Sequence, residues 1–313
     1  MTLPADFSKI YGSTATGGLT PISDFNYAKG WEFVGSNPPT KNDFSYLQNL
    51  SDLKSQWLYA NKLQRTDPFG DIKSDGESAV SAALANLGLI DSSGYSGRLI
   101  GAPRIITSSG TYTPTAGCKL AIVELVGGGG GGGGCYLADG GGASAGGGGG
   151  SGGYSLYAFL NPVATVVTIG SGGTVGAIVA NTTMPPGGNG GDTLFDSLAT
   201  AKGGKGGLSG GWAVAVGTVD TSASNGGSGG DIGTGTLTNP GNPGGLGLQL
   251  KLNGTGGMGA ASKLGSGGQY VSGTYATIAP TKGGGGVGNY RASAISYPGT
   301  PGAPGYILVW EYF

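Results

Sequence analysis

Lys119-Leu-Ala-Ile-Val-Glu-Leu-Val126 runs without a break into Gly127 to Gly134, eight glycines in a row. The first stretch is an apolar strand able to enter a core. The second has no side chains at all, and the joint between them decides the fold. Of the 72 glycines only 13 precede Gly127, and the other 59 fall in the last 187 residues, about one in three. A linker or a silk would be glycine-rich throughout and poor in large apolar residues. Here strand sequences alternate with the glycine: Tyr154-Ser-Leu-Tyr-Ala-Phe-Leu160, Ala164-Thr-Val-Val-Thr-Ile169 and Tyr306-Ile-Leu-Val-Trp-Glu-Tyr-Phe313. The glycines therefore work inside a folded object.

Glycine permits close backbone approach. A polyproline II helix has three residues per turn and no internal hydrogen bonds, so its amides pair with a neighbour, and neighbours pack tightly only where side chains are absent. Collagen meets this need with a strict triplet. The period here is irregular, through Gly140 to Gly142, Gly146 to Gly150, Gly203-Gly204, Gly206-Gly207, Gly226-Gly227, Gly229-Gly230 and Gly283 to Gly286, and proline is too sparse for a triple helix. The expected fold is mainly β with irregular glycine-rich structure: a small β-sandwich carrying packed polyproline II glycine helices. The alternative is that the tracts are flexible loops.

Charge and motifs exclude several classes. The net charge is −1 and charged residues make up 11% of the chain. After Gly127 six acids (Asp139, Asp192, Asp196, Asp220, Asp231, Glu311) face six bases (Lys202, Lys205, Lys251, Lys263, Lys282, Arg291). No basic stripe recommends nucleic acid as a partner. No run of eighteen apolar residues predicts membrane insertion, and Met1-Thr-Leu-Pro-Ala-Asp-Phe7 lacks the features of a secretion signal. Histidine is absent, which removes Ser-His-Asp and Cys-His chemistry. Asp192 and Asp196 are the nearest carboxylate pair, read as turn and edge residues flanking a strand at Thr193 to Phe195. Cys118 and Cys135 bracket the first strand and the glycine run. They read as free thiols, or as a disulfide if the chain folds straight back after Val126. Without histidine they are a poor metal set, so no metal is expected. Glycine tracts match G-x-G-x-x-G trivially, and Gly204-Lys205-Gly206 lacks the Ser or Thr of a Walker loop, so no nucleotide cofactor is expected either.

The N-terminal part reads differently. Residues 1–41 are polar and loop-like, with aromatic anchors at Phe7, Tyr11, Phe25, Tyr27, Trp31 and Phe33. Asn37-Pro-Pro-Thr40 stops the chain before a helix. From about Asn42 to Leu63, Tyr46, Leu50, Leu53, Trp57 and Ala60 recur at spacings of 4, 3, 4 and 3. A lone helix of this length is marginal in water, so the seam wants partners, either its own chain or other copies. Ser78 to Leu87 reads as a second helix with Gly88 at its C-terminal cap. Asp91-Ser-Ser-Gly-Tyr-Ser-Gly97 is a hinge, after which Arg98 to Ile106 is extended. The predicted segments are 1–41, a helical region 42–97 and a glycine-rich region 98–313.

Several pieces occur in a specific order: Ser81-Ala-Ala-Leu-Ala-Asn-Leu-Gly-Leu89, Gly97-Arg-Leu-Ile-Gly101, Ser109-Gly-Thr-Tyr-Thr-Pro-Thr-Ala-Gly117, the strand ending in Gly127 to Gly134, and Pro304-Gly-Tyr-Ile-Leu-Val-Trp-Glu-Tyr312. Together they resemble tail fibres of tailed bacteriophages. The glycine-rich part is similar to the polyglycine-rich adhesins at the tips of some T-even-like long tail fibres, in which stacked polyproline II helices present variable loops to a host receptor. Gly35-Ser-Asn-Pro-Pro-Thr40 and the segment around it are similar to the part of short tail fibres that joins the virion. The T-even adhesins are separate caps on a fibre, whereas here both parts share one chain.

The resemblance implies a homotrimer with a helical trimerisation segment, located at the fibre tip of the virion tail. It implies partners among baseplate or tail proteins and a bacterial cell-surface receptor: a pilus, an outer-membrane protein or lipopolysaccharide. Function would then lie in the inserts between glycine tracts: Cys135 to Asp139, Thr174 to Pro186, Trp212 to Ser224, Asp231 to Pro243, Gln269 to Lys282 and Val287 to Pro298. They are enriched in Tyr, Trp, Asn, Ser and Thr, which give large contact area and adaptable hydrogen bonding at low entropic cost. Tyr136, Trp212, Tyr270, Tyr275, Tyr290, Arg291 and Tyr297 are the receptor-binding candidates, with core packing as the alternative for each aromatic. No catalytic residue is expected. A purely structural baseplate or shaft subunit and a capsule-degrading enzyme are the competing functions.

Overall fold

The computed structural model describes residues 36, 40–61, 70–90 and 96–313, apart from 138–142, 181–184, 214–220, 251–252, 271–276 and 293–294. The N-terminal anchors and the virion-joining segment expected within residues 1–41 lie outside the described residues, Ser36, Thr40 and Lys41 excepted. The chain divides into two compact units, Met1–Ile90 and Asp91–Phe313.

In the first unit the described residues form three helices, α1 (Lys41–Asn61), α2 (Gly70–Ser74) and α3 (Glu77–Asn86). Thr40 caps α1 reciprocally. Its hydroxyl accepts the Asp43 amide, and Asp43 accepts the Thr40 amide at 2.8 Å. Helix α3 ends where the sequence predicts. Gly88 has φ +67°, the Gly88 amide donates to Ala85, and the Leu89 amide donates to Leu84. That pair of bonds satisfies the last carbonyls, and the left-handed position explains why glycine stands there. Along α1, Tyr46 and Leu50 are half-buried, while Leu53 and Trp57 are exposed at 44% and 65%. The side chain of Ala60 lies outside the described residues.

The second unit is mainly β, with several small antiparallel sheets. Two of them face each other. One has the order Arg104–Ile106, Tyr306–Tyr312, Leu120–Val126, Tyr154–Leu160, Leu237–Asn239; the other runs Ala199–Ala201, Thr193–Phe195, Thr165–Thr168, Gly110–Tyr112. Alternate residues of Leu120–Val126 are buried, as a strand with one packed face requires. Between the sheets lie Tyr112, Ala121, Val123, Leu125, Val167, Phe195, Ile307 and Val309. The Phe159 and Phe195 rings meet edge-on at 5.8 Å. One carboxylate points into this core. Glu311 accepts the Tyr112 hydroxyl at 2.7 Å and the Thr115 amide at 3.1 Å, and pairs with Arg104 at 3.3 Å.

The glycine tracts leave the sandwich at its strand ends and hydrogen-bond to one another. In segment 127–134 the amides of Gly127, Gly130 and Gly133 donate to Gly153, Gly150 and Gly147; those of Gly128, Gly131 and Gly134 donate to Gly191, Gly188 and Pro185; those of Gly129 and Gly132 donate to Ala303 and Thr300. Its carbonyls accept from Gly204, Gly207 and Gly210, from Gly173 and Gly176, and from Gly286 and Asn289. Partners thus recur every third residue, and six segments surround this one: three antiparallel neighbours that accept and three parallel ones that donate. Segment 146–153 also has six neighbours: 202–210, 241–245 and 283–289 run antiparallel and accept, 127–134 runs antiparallel and donates, and 225–230 and 256–260 run parallel and donate.

Side chains follow this arrangement. A Cβ added at Gly130 would stand 2.0 Å from the Lys205 carbonyl, and one at Gly132 1.7 Å from that of Val287. The surrounded segments are therefore glycine throughout but for Ser151, whose hydroxyl accepts the Asn242 amide at 2.9 Å. Segments at the perimeter carry an exposed residue at every third position: Lys205 and Leu208, Asn225 and Ser228, Pro186 and Asn189, Ser171 and Thr174, Pro301 and Pro304. The irregular glycine spacing in the sequence is thus two patterns, one for enclosed segments and one for the perimeter.

Candidate functional site

Each glycine segment runs antiparallel to the one that follows the next turn, so alternate turns of the chain fall at opposite ends. One end is the sandwich. At the other, small sheets form wherever a segment reverses. Ala143–Ala145 pairs with Trp212–Ala213 on one side and Tyr290–Ala292 on the other, and Ile295–Tyr297 completes that sheet. Thr221–Ser224, Gly247–Leu250 and Asn253–Thr255 make a second. Tyr136–Leu137 lies parallel to Val179–Ala180, and Gln269–Tyr270 pairs with Thr277–Ile278.

This distal end gathers most of the residues singled out in the sequence. Tyr290 is 4% exposed and stacks on Tyr297 with ring centres 5.9 Å apart. The Tyr270 hydroxyl donates to the Gly288 carbonyl, and burial pushes its pKa well above the ordinary phenol value. Arg291, half-buried, sits opposite Ser144 and Ser296 in the sheet. Tyr136 is half-buried, and its amide donates to the Ser144 hydroxyl at 3.2 Å. Trp212 lies in the strand beside Ser144, with its side chain outside the described residues; Tyr275 lies outside them altogether. Tyr290 is thus a packed residue of the distal sheets rather than a surface one.

One insert expected among these loops lies elsewhere. In Asp231 to Pro243, Thr234 bridges Thr200, and Leu237–Asn239 adds an edge strand to the sandwich beside Tyr154–Leu156. The segment before it, 225–230, returns to the sandwich, so this turn cannot reach the distal end. The hairpin that does reach it, Gly247–Leu250 with Asn253–Thr255, was not among the expected inserts. Its alternation of glycine and leucine was the available signal. A Cβ at Gly254 would stand 2.5 Å from the Leu248 carbonyl and 2.9 Å from the Tyr290 ring, so the position has room for glycine alone.

Residues 106–311 match the glycine-rich domain family. The chain belongs to that family. Comparison with curated proteins returns no match. The glycine-rich domain so delimited begins at the last residue of Arg104–Ile106 and ends at Glu311 within the final strand, taking in sandwich, glycine segments and distal sheets.

Cys118 and Cys135 are free thiols at opposite ends of the first strand and glycine segment. Burial pushes the Cys135 thiol up to about 12, so it stays protonated at neutral pH. Asp192 accepts from Lys202 at 2.8 Å and from the Gly203 amide at 2.9 Å, and is held below its usual range because these bonds outweigh its burial. Asp196 occupies the tight turn between Thr193–Phe195 and Ala199–Ala201 at φ +47°. Both aspartates flank a strand, as their positions in the sequence suggest. Among the described residues no cluster of acids, cysteines or histidines could hold a metal ion.

Proposed function

We propose that this chain is a bacteriophage tail fibre protein that attaches the virion to its host through the distal end of the glycine-rich domain. In this reading the glycine segments are polyproline II helices, whose three residues per turn account for hydrogen-bond partners that recur every third residue. The helical region 42–97 joins three chains through Tyr46, Leu50, Leu53, Trp57 and Ala60, and residues 1–41 meet the baseplate or tail. The observation that carries the proposal is the convergence of the distal hairpins on one end of a cross-linked frame. A frame with backbone bonds on all sides holds its loops in fixed relation, which is what repeated recognition of a receptor needs.

The test is binding of the labelled full chain to host cells and to strains lacking pili, single outer-membrane proteins or complete lipopolysaccharide. Loss of binding on one deletion strain is the expected result. A chain that binds none of the cells leaves a shaft subunit as the better reading, and reducing ends released from host polysaccharide would point to a depolymerase.

A further inference from the structure

The five-stranded sheet of the sandwich has a second face. Ile105, Leu308, Glu124, Leu156 and Leu237 stand in one cross-strand row, Trp310, Ile122 and Ala158 in the next, and Tyr312, Leu120 and Leu160 in a third. Strand alternation points them away from Val123, Leu125, Ile307 and Val309, which fill the core. The row nearest the glycine segments, Val126, Tyr154 and Tyr306, is covered: the Lys263 and Lys282 ammonium groups sit 4.7 and 5.5 Å from the two tyrosine ring centres. The rows beyond it are less covered: Leu308, Glu124, Leu156, Ile122 and Trp310 are half-buried, and Ile105 and Leu237 on the edge strands are exposed at 59% and 52%.

Glu124 is the charged group in these rows, and both its oxygens are occupied. One accepts the Tyr154 hydroxyl at 2.8 Å and the other the Trp310 indole N–H at 3.2 Å. A carboxylate already bonded within its own chain costs less to cover than one that depends on water. The face is therefore apolar and internally satisfied, and among the described residues it is only partly covered.

Its size selects its occupant. Five strands in the first row and three in each of the other two, about 4.8 Å apart, give a footprint on the order of 400 Å². A stable complex of free partners needs about 800 Å² from each side. This face is too small to capture a free protein, but it suits a copy already tethered nearby, because tethering raises the local concentration without any new contact. We infer that the sandwiches of neighbouring copies of this chain meet through the outer face of the five-stranded sheet, centred on Leu308 and Glu124. The inference rests on the helical association proposed above.

The test uses the full chain with Cys118→Ser and one new cysteine, Ile105→Cys or Leu308→Cys, with Leu208→Cys on the perimeter segment 202–210 as control. Each protein is treated with a short bismaleimide and run on a denaturing gel, while light scattering gives its mass in solution. A trimer in solution whose Ile105→Cys or Leu308→Cys form yields a cross-linked band absent from Leu208→Cys is the expected result. A trimer in which neither position cross-links above the control overturns the shared face and leaves the helical association standing. A monomer overturns both.

Discussion

The Gly130 amide donates to the Gly150 carbonyl at 2.8 Å, joining the two glycine segments that are each ringed by six others. Neither residue has room for a side chain, since added Cβ atoms would stand 2.0 Å from the carbonyls of Lys205 and Ser228 respectively. The enclosed segments are thus the part of the fold least able to accept change, although they contain no hydrophobic side chain at all. Their stability comes from backbone pairing between buried chains, where an unmade bond is costly.

Enclosed and perimeter positions should therefore respond oppositely. Gly129→Val and Gly148→Val place a branched side chain where the Cβ alone would be 2.0 Å from Gly284 and 1.9 Å from Met258 backbone carbonyls. Each should cost about 3 kcal/mol or more, from overpacking and lost buried hydrogen bonds together. Ser228→Ala, at an exposed perimeter position, should leave the melt nearly unchanged. Equal midpoints for all three proteins would mean that the tracts behave as loose loops.

The sandwich strands were legible because Leu120–Val126, Tyr154–Leu160 and Tyr306–Tyr312 carry β-forming residues in runs long enough to bury a face. Helix α3 was legible through Gly88. The end of the molecule at which each insert falls was not, because that depends on counting every glycine segment as a full traverse. Asp231 to Pro243 looks like any polar insert, yet it follows a returning segment and so lies at the sandwich. Gly247–Leu250 hides among glycines for the converse reason. Nor does local sequence reveal that Tyr290 is buried, since its ring packs close to Gly254, a residue 36 positions earlier.

Glu311 should make the sandwich acid-sensitive. Burial would raise its pKa, but hydrogen bonds from Thr115 and Tyr112 and the charge of Arg104 outweigh that and hold it below the ordinary 4.5. A carboxylate whose folded value is depressed stabilises the fold above its unfolded value and loses that contribution as pH falls through the folded one. The parent should therefore lose stability below about pH 4.5, and Glu311→Gln should lose less over the same range. At neutral pH the variant should be weaker by about 2 kcal/mol, the cost of a lost hydrogen bond to a charged group. Thermal melts of both proteins from pH 7 to pH 3 check the slope; parallel curves would assign the acid response to other groups.

The seam of α1 can be broken without touching the glycine-rich domain. Leu50 is half-buried and Leu53 is 44% exposed, and both belong to the seam proposed to join copies of the chain. The double variant Leu50→Asp, Leu53→Asp should run as a monomer by light scattering at micromolar concentration, with the main thermal transition unchanged. If the parent itself runs as a monomer, the seam holds no copies together.

The distal aromatics can be separated into packing and recognition. Tyr290 is 4% exposed and stacked on Tyr297, so Tyr290→Ala should lower stability by about 3 kcal/mol, and any loss of cell adsorption should come with a lower melt. Leu248 is 46% exposed in the hairpin at the same end, beside Thr255 in register. An exposed residue contributes little to folding but can contribute a great deal at a contact centre. Leu248→Asp should therefore reduce adsorption to host cells while leaving the midpoint close to the parent's, and Tyr136→Ala, half-buried in the distal strand beside Val179–Ala180, should act in the same sense. Adsorption and melting are measured on the same preparations, so a fold defect cannot pass for a binding defect. If Leu248→Asp and Tyr136→Ala both adsorb like the parent, receptor contact does not run through these distal sheets and the assignment of this end fails.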